Sequence, residues 1–442
     1  MPVSSVETKS EIEVEPEIEI AEVQTKKVQT TEVQAGAETK AKSEAEHATL
    51  TPALVRLMAL ACGMSVANMY YCQPLLAQMR DAFKVTMPLV TSIPILTQLG
   101  CAAGMLLFVP LGDIRERRRL ILQLLAGVTI ALGVAAAAPG LGWLIAASLA
   151  IGLTSVVPHL IIPFAAQLAQ PEERGRVVGN VLGGLLIGIL LARTVSGYVG
   201  DAFGWRAMYG LAAFIMIGLA LVLARKQPQS IPSASLTYPQ ILVSLAHLIC
   251  TQPLLRQASL IGALTFGAFM AFWNALVFLL EGKPYALTHA GNVAGLFGLV
   301  GVVGAAAAPL MGRLADKRGP RLTLGISLGI TLLSYGVFWI AGFQLWGLVI
   351  GVILLDFGVQ SAHVSNQTRI YSLIPEARSR LNTVYMVSYF LGGVVGTTLS
   401  AQAWHRAGWH GVCAVGLGLL TAALLVHALG TKSKSKLAEN VN

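Results

Sequence analysis

The loop Gly312-Arg-Leu-Ala-Asp316-Lys317-Arg318-Gly319-Pro320-Arg321 joins two apolar runs of about 20 residues, each long enough to cross a bilayer. A related loop, Leu111-Gly-Asp113-Ile-Arg115-Glu-Arg117-Arg-Arg119, joins two apolar runs nearer the start of the chain. Both loops place an acidic residue before a group of basic residues, and a shift of 203 positions puts Asp113 on Asp316. The later loop is therefore interpreted as a repeat of the earlier one.

The repeat extends well beyond these loops. A shift of 204 positions puts Pro171-Glu-Glu-Arg174-Gly-Arg176 on Pro375-Glu-Ala-Arg378-Ser-Arg380, and it puts His159 on His363. The same shift puts Gly204-Trp205 on Gly408-Trp409. Because landmarks in three loops and one apolar run keep a common register to within a residue, the chain is predicted to consist of two homologous halves.

The composition predicts that both halves lie in a membrane. Hydrophobic residues make up 55% of the 442 residues and charged residues 12%, and the mean hydropathy is +0.67. The apolar runs suit helices and are too long for the strands of a membrane barrel. We therefore predict an all-α polytopic membrane protein with twelve transmembrane helices in two six-helix bundles. The predicted spans are 53–75, 88–111, 119–138, 141–168, 177–199, 206–224, 255–280, 291–312, 321–341, 344–372, 381–403 and 409–430.

The polar segments divide the chain into five parts. Residues 1–50 contain eleven Glu and five Lys residues with little apolar surface, so they are predicted to be a disordered acidic tail. Residues 51–225 and 255–431 are the predicted N-terminal and C-terminal bundles, and 226–254 is a linker in which Tyr238 to Cys250 is expected to form a short interfacial helix. Residues 432–442 form a basic C-terminal tail.

The distribution of basic residues predicts the orientation. Eighteen Lys and Arg residues lie in the loops and tail on one side of the predicted spans and five lie on the other, so both termini are predicted to be cytoplasmic. This pattern orients membrane proteins, so the net charge of +9 does not indicate a nucleic-acid partner. The five cysteines form no C-x-x-C pair, and neither a disulfide framework nor a metal site is predicted.

One acidic residue stands apart from the other acids that follow the tail. Ten of these eleven acids fall in loops or the C-terminal tail, and only Asp356 lies within a predicted span. Asp356, Gln360, His363 and Gln367 recur at i, i+4, i+7 and i+11, which places them on one helix face. An ionisable group at such depth is costly unless it faces a hydrated cavity or a partner. We predict that Asp356, with His363, binds a proton or a cationic substrate; the alternative is a buried polar stripe of structural role.

The paired acidic and basic loops resemble the motif G-x-L-A-D-x-R-G-x-R of the major facilitator superfamily, and the resemblance covers residues 51–430. It implies a gating role, as a conformational lock between the halves, for Asp113, Arg117, Asp316 and Arg318. The alternative is that these loops only orient the protein. In the fifth span, Gly179, Gly188, Ala192, Ser196 and Gly197 resemble the antiporter motif of that family, although Arg193 replaces its proline. Gly184 adds a ladder of glycines, so Gly179, Gly184, Gly188 and Gly197 are alternatively a helix-packing face.

Further polar and aromatic residues are candidates for the central cavity. His159 is the repeat counterpart of His363, and Arg193 is the strongly basic residue placed deepest in a span, where it could pair with Asp356, with Asp201 or with an anionic substrate. The arginine of helix 4 and the acid of helix 1 that many proton-coupled exporters of the family carry are absent, so proton coupling is expected to involve Asp356, His159 and His363 instead. The remaining candidates suit a cavity for amphipathic molecules and are Asn68, Tyr70, Tyr71, Gln73, Trp273, Asn274, Tyr385 and Tyr389.

These observations and the resemblance predict a proton-coupled secondary transporter that exports small organic compounds by alternating access. We expect it to work as a monomer in a bacterial inner membrane, driven by the proton gradient and without a cofactor. A symporter or facilitator that imports sugars or organic anions, which Arg193 would suit, is one alternative, and a transport-dead sensor is another. A membrane enzyme is disfavoured because the sequence has no H-E-x-x-H motif, and direct ATP drive is disfavoured because it has no Walker motif.

Overall fold

The computed structural model describes residues 50–170, 173–229, 237–301, 314, 317–374 and 377–439, with the backbone alone for Asp113 and 431–439. Apolar runs form helices here because every backbone N–H and C=O must find its partner within the segment when water is absent. The first half contains α1 Pro52–Ala67, α2 Cys72–Phe83, α3 Met87–Val90, α4 Ser92–Phe108, α5 Leu111–Ile114, α6 Arg117–Ala136, α7 Leu141–Thr154, α8 Val157–Leu168, α9 Arg174–Phe203 and α10 Trp205–Lys226. The linker and the second half contain α11 Tyr238–Thr251, α12 Pro253–Glu281, α13 Ala290–Val300, α14 Pro320–Ala341, α15 Leu345–Tyr371 and α16 Arg378–Glu439.

Ten segments of the described residues are long and apolar enough to cross a membrane. One of them, Arg378–Gly430, has 53 residues and is interrupted by non-helical backbone at Ala407 and Gly408, so it comprises two spans. Gly408 has a φ of 55°, which glycine adopts without steric cost. Helix α13 is the described part of the predicted span 291–312. With these assignments, the order of helices matches the twelve predicted spans, and the predicted fold class is confirmed.

Two predicted spans are broken helices. The span predicted at 53–75 consists of α1 and α2, which are separated by a turn at residues 68–71. The span predicted at 141–168 consists of α7 and α8, and Pro158 lies in the first turn of α8. Proline is tolerated in a first turn because its missing N–H would be unpaired there anyway. Both predicted spans are present, and each consists of two helices separated by a turn.

Glycines allow neighbouring helices to approach closely within each half. In the first half, Gly188 of α9 lies against Gly63 of α1 so closely that a Cβ would collide with its backbone. In the second half, Gly392 of α16 meets the backbone of Ala263 in α12 in the same way. Lipid supplies no hydrophobic drive for helix association, so small residues that permit close backbone contact stabilise such pairs.

The two ends of the helical assembly are distinguished by the linker. Helix α11 lies at one end, where its Tyr238 hydroxyl donates a 3.1 Å hydrogen bond to the carbonyl oxygen of Leu107. We call this end the linker face, and the opposite end, which carries Arg80 and Glu281, the Arg80 face. The short helix predicted in the linker is present as Tyr238–Thr251. The predicted tail, at residues 1–49, lies outside the described residues.

The two halves meet along a surface that we call the seam. Its main helix pairs are α9 with α13 and α4 with α16, and α2 packs against α12 and α13. On the side toward the Arg80 face, α9 and α13 touch backbone to backbone. A Cβ on Gly197 would lie 2.6 Å from the carbonyl oxygen of Gly291, and a Cβ on Gly295 would lie 2.6 Å from that of Arg193. Toward the linker face, most side chains of α9 before Leu190 are exposed or half-buried.

Candidate functional site

Asp356 lies at the seam, in the middle of α15. It is 4% exposed and lines a small cavity with Gln360 from the same helix, Arg193 from α9 and Phe269 from α12. Its Oδ2 atom is buried and has no hydrogen-bond partner among the described residues. A carboxylate buried in this way is costly, which makes it a candidate functional group.

Arg193 faces the same cavity from the other half and is 1% exposed. Its Nε donates a 2.7 Å hydrogen bond to Oε1 of Gln73 in α2. Its guanidinium carbon lies 4.0 Å from the ring centroid of Trp273 and 4.8 Å from that of Tyr70. Cation–π contacts with desolvated rings contribute about 2 kcal/mol or more each, so the side chain is held in place. Its Nη2 atom has no hydrogen-bond partner in the described part of the chain.

The two charges interact without touching. Arg193 and Asp356 are close enough for electrostatic attraction, but no hydrogen bond or ion pair joins them among the residues described. The cavity between them is narrow, with room for about one water molecule in the present arrangement. Chemically, a carboxylate can hold a proton or a cation, and a guanidinium edge can hold an anion. Because the groups belong to opposite halves, any movement at the seam changes their separation.

Of the partners considered for Arg193, Asp201 is excluded by the structure. Its Oδ1 atom lies 2.7 Å from Nδ1 of His289, at the Arg80 face and away from the cavity. That face carries a second contact across the seam, in which Arg80 donates bonds of 2.9 and 2.6 Å to the two carboxylate oxygens of Glu281. The sequence analysis did not identify either pair, since residues 88 or 201 positions apart give no local signal.

The other two polar residues on the predicted face of α15, His363 and Gln367, contact α16. Nδ1 of His363 lies 3.1 Å from the hydroxyl of Tyr385, and its ring centroid is 5.0 Å from that of Tyr389. Gln367 donates a 3.3 Å hydrogen bond to Asn382. These contacts turn His363 and Gln367 toward α16. Of the four polar residues on this face of α15, Asp356 and Gln360 line the cavity.

His159 lies across the seam from this part of α15. It is half-buried in α8, and it is near enough to His363 for the two side chains to interact electrostatically. Gln360 and His363 are half-buried as well. The structure therefore brings together the two histidines that the internal repeat relates, one from each half, on the linker side of Asp356.

The predicted cavity residues of the first and seventh spans have several roles. Tyr70, Gln73 and Trp273 hold Arg193, and Tyr71 is buried. Two placements correct the prediction. The amide of Asn68 donates to the sulfur of Met216 at 3.4 Å inside the first half, and that of Asn274 donates to Thr397 at 3.0 Å inside the second. Each amide finds its partner within its own half, so neither side chain lines the cavity.

Two residues of the site were missed by the sequence analysis. Phe269 lines the cavity one helical turn before Trp273, and its spacing of i, i+4 could have indicated this. Gly301 follows α13, and a Cβ there would lie 2.8 Å from Oδ2 of Asp356 and 3.0 Å from Cδ2 of Leu190. Only a residue without a side chain leaves room for the carboxylate, and a lone glycine gives no sequence signal for this.

The predicted gating loop is described in part. Arg117 is buried, and its guanidinium donates 2.8 Å hydrogen bonds to the carbonyl oxygen of Gly112 and to Oε1 of Gln167, both in the first half. Arg318 is exposed. Asp316 and the side chain of Asp113 lie outside the described residues. The role of this loop as a lock between the halves stays a prediction.

Three of the four predicted packing glycines lie at close helix contacts. Gly184 and Gly188 meet Ala59 and Gly63 of α1, and Gly197 meets Gly291 across the seam. A Cβ on Gly179 would have no heavy atom of the described residues within 4 Å, so a packing role for this glycine stays a prediction. It lies in the exposed part of α9 near the linker face.

Comparison with known proteins agrees with this architecture. The sequence matches the family described as the Major Facilitator Superfamily over residues 58–397 and 285–440. An Escherichia coli protein named uncharacterized transporter YgaY is 41% identical over 377 residues, which are 85% of this chain and 95% of the relative. The probable transporter SCO4007 of Streptomyces coelicolor is 36% identical over 366 residues, 81% of this chain and 83% of that protein. The crystal structure of the nucleoside transporter NupG has a TM-score of 0.69 at 15% identity, covering 85% of this chain and 99% of that one. The chain belongs to the major facilitator superfamily of membrane transporters.

Proposed function

We propose that this transporter is a proton-coupled exporter of small organic compounds that works by alternating access, with Asp356 as the proton-binding group. The observation that carries the proposal is the pair of buried charges, Asp356 and Arg193, which face one cavity from opposite halves and remain without a direct bond. We further propose that it works as a monomer in a bacterial inner membrane.

The coupling follows from the position of Asp356 at the seam. Its neighbours that carry or can carry charge are Arg193 on α9 and Tyr389 on α16. When Asp356 is ionised, it attracts Arg193 and favours the arrangement in which α9 lies against α13. A proton on Asp356 removes this attraction, so the halves separate more readily at the Arg80 face. A proton can shift a conformational equilibrium only through such a difference between the two states.

The proposed direction of transport depends on the side of the membrane from which a compound can reach the site. With both termini cytoplasmic, the linker face is the cytoplasmic one, and the half-buried His159, Gln360 and His363 lie on that side of Asp356. The Arg80 face is closed by the Arg80–Glu281 and Asp201–His289 contacts. A compound would therefore load from the cytoplasm, and once the halves have separated at the Arg80 face it would leave in exchange for a proton that binds Asp356 from outside.

The test is transport in proteoliposomes with the variant Asp356→Asn, which keeps the size of the side chain and removes its charge. Transport is measured for a panel of organic cations, anions, zwitterions and sugars. We expect transport of a compound of this panel by the wild type to respond to an imposed pH gradient, and the variant to lose this response. Glu173→Gln is the matched control, because it removes an exposed carboxylate outside the cavity. Unchanged gradient-driven transport by Asp356→Asn would exclude Asp356 as the coupling group.

A second candidate is import of organic anions, by symport or facilitated diffusion. The observation in its favour is the unpaired Nη2 atom of Arg193, which is buried and able to donate to an anion. Right-side-out and inside-out vesicles distinguish the two candidates. An importer takes up its substrate from the Arg80 face and accumulates it in right-side-out vesicles, whereas an exporter takes it up from the linker face and accumulates it in inside-out vesicles.

A further inference from the structure

We infer that the substrate of this site is a small zwitterion with an apolar side chain, of the α-amino-acid class, whose ammonium group binds Asp356 and whose carboxylate binds Arg193. The inference rests on the proposed transporter function of the same cavity and adds the chemical class of the compound. The inference is based on the hydrogen bonds in the cavity, where some polar atoms have a partner and others have none.

Among the described residues that line the cavity, the buried atoms without a hydrogen-bond partner are one donor and one acceptor of opposite charge. On Arg193, Nε is bonded to Gln73 and the guanidinium plane is covered by Trp273 and Tyr70, so Nη2 is the unpaired donor. On Asp356, Oδ2 is the unpaired acceptor. The contacts of Arg193 come from both halves, which fixes its orientation before any ligand arrives.

The charge balance of the cavity selects among ligand classes. A compound with a single positive charge would satisfy Asp356 but bring its charge close to Arg193, and a compound with a single negative charge would meet Asp356. A neutral compound would leave both ions partly unsatisfied, and unpaired buried charges are costly. A compound that carries both charges satisfies both residues, and the wrong classes are rejected by repulsion as well as by lost contacts.

The rest of the cavity wall suits an apolar side chain. Leu186, Ile189 and Leu190 of α9 and Phe269 of α12 line it, and Gln360 adds an amide at its edge. The free space is too small for such a compound in the present arrangement. A ligand must therefore enter when the halves are apart, and closing the seam then brings its two charges between Arg193 and Asp356.

The experiment uses four compounds that share one side chain and differ only in charge. These are leucine, leucine methyl ester, N-acetylleucine and N-acetylleucine methyl ester, which are respectively zwitterionic, cationic, anionic and neutral. Binding to the purified full-length protein is measured by thermal stabilisation in detergent, with alanine, valine and phenylalanine tested alongside. We expect leucine or another of the apolar amino acids to bind about tenfold or more tightly than its singly charged derivatives, since each derivative loses one charged contact.

Two variants assign the contacts. Arg193→Gln should remove the preference for the amino acid over its methyl ester, and Asp356→Asn should remove the preference over the N-acetyl compound. Tighter binding of the ester or of the N-acetyl compound by the wild type, or no stabilisation by any of the four amino acids, would overturn the inference. These wild-type measurements decide the matter even where a variant fails to fold.

The two proposals fail separately. If amino acids do not bind while Asp356→Asn abolishes the pH response for another compound of the panel, the zwitterion is excluded and proton coupling stands. If amino acids are exchanged at the same rate with and without a pH gradient, the substrate class stands and proton coupling is excluded.

Discussion

Charged side chains at the centre of the seam differ in exposure and in pairing from those at its end on the Arg80 face, which we call the Arg80 end. At the centre, Arg193 and Asp356 are 1% and 4% exposed and have no direct bond to each other. At the Arg80 end, Arg80 and Glu281 have side chains that are 26% and 33% exposed, and they form two hydrogen bonds of 2.9 and 2.6 Å. The buried charges are the unpaired ones, and the accessible charges are paired.

This contrast indicates different roles for the two regions. Exposed ion pairs contribute about 0–1 kcal/mol because water and salt screen them, which suits a contact that must open in every cycle. A buried, unpaired charge is costly to keep and has no value for stability alone. The Arg80 end is therefore suited to closing one side of the transporter, and the centre to sensing what occupies the cavity.

The largest effect is expected at the centre, from a double-mutant cycle of Arg193→Gln and Asp356→Asn. Each single variant leaves one buried charge without the attraction of the other, whereas the double variant leaves none. We expect the free energy of unfolding of the double variant to be higher than the sum of the two single effects predicts. The coupling free energy should be about 1–3 kcal/mol. Unfolding in mixed micelles measures it. Strictly additive losses would mean that the two charges do not interact across the cavity.

An intermediate effect is expected where α9 touches α13. Gly197→Ala places a methyl group 2.6 Å from the carbonyl oxygen of Gly291, so the halves cannot close fully at the Arg80 face. Overpacking of this kind costs about 1–2 kcal/mol, the lower part of its usual range. Spin labels at Ala202→Cys and Lys283→Cys, in a background without native cysteines, should report a wider distance. The matched control is Gly179→Ala on the same helix, where a Cβ meets no atom of the described residues within 4 Å. A widening of equal size in the control would refute the glycine contact as its cause.

The smallest effect is expected at the Arg80 end. Arg80→Gln removes the bidentate pair with Glu281, and the closed arrangement should lose less than about 1 kcal/mol, or a factor of about five in population. The effect should shrink further in high salt. Because Arg80 also pairs with Asp81 at 2.7 Å, the partners are exchanged in an Asp81→Asn background, and Arg80→Glu with Glu281→Arg should then restore the distance measured between the same spin labels for Asp81→Asn alone. A loss as large as that of the central cycle, or no recovery on exchange, would contradict the assignment of this pair as a weak latch.

Much of the fold could be predicted from the sequence, but only part of the site. Apolar runs fix the helices because a span must satisfy its own backbone, and Asp356 could be singled out because a lone acid in such a run is costly. The breaks between α1 and α2 and between α7 and α8 were missed, since each lies inside a continuous apolar run. The surroundings of Arg193 were missed as well, because Gln73 lies 120 positions away and Trp273 belongs to the other half.

The order of residues alone is enough to predict that this chain crosses the membrane as two related sets of helices and that one carboxylate stands in an apolar span. Hydropathy and local spacing are sufficient for this because they act along the chain. The contacts of Arg193 with Gln73, Tyr70 and Trp273, and its position facing Asp356 across a narrow cavity, become visible in the folded protein. These relations depend on how α2, α9, α12 and α15 pack against one another. Packing joins residues that are far apart in the chain, so no local pattern records it.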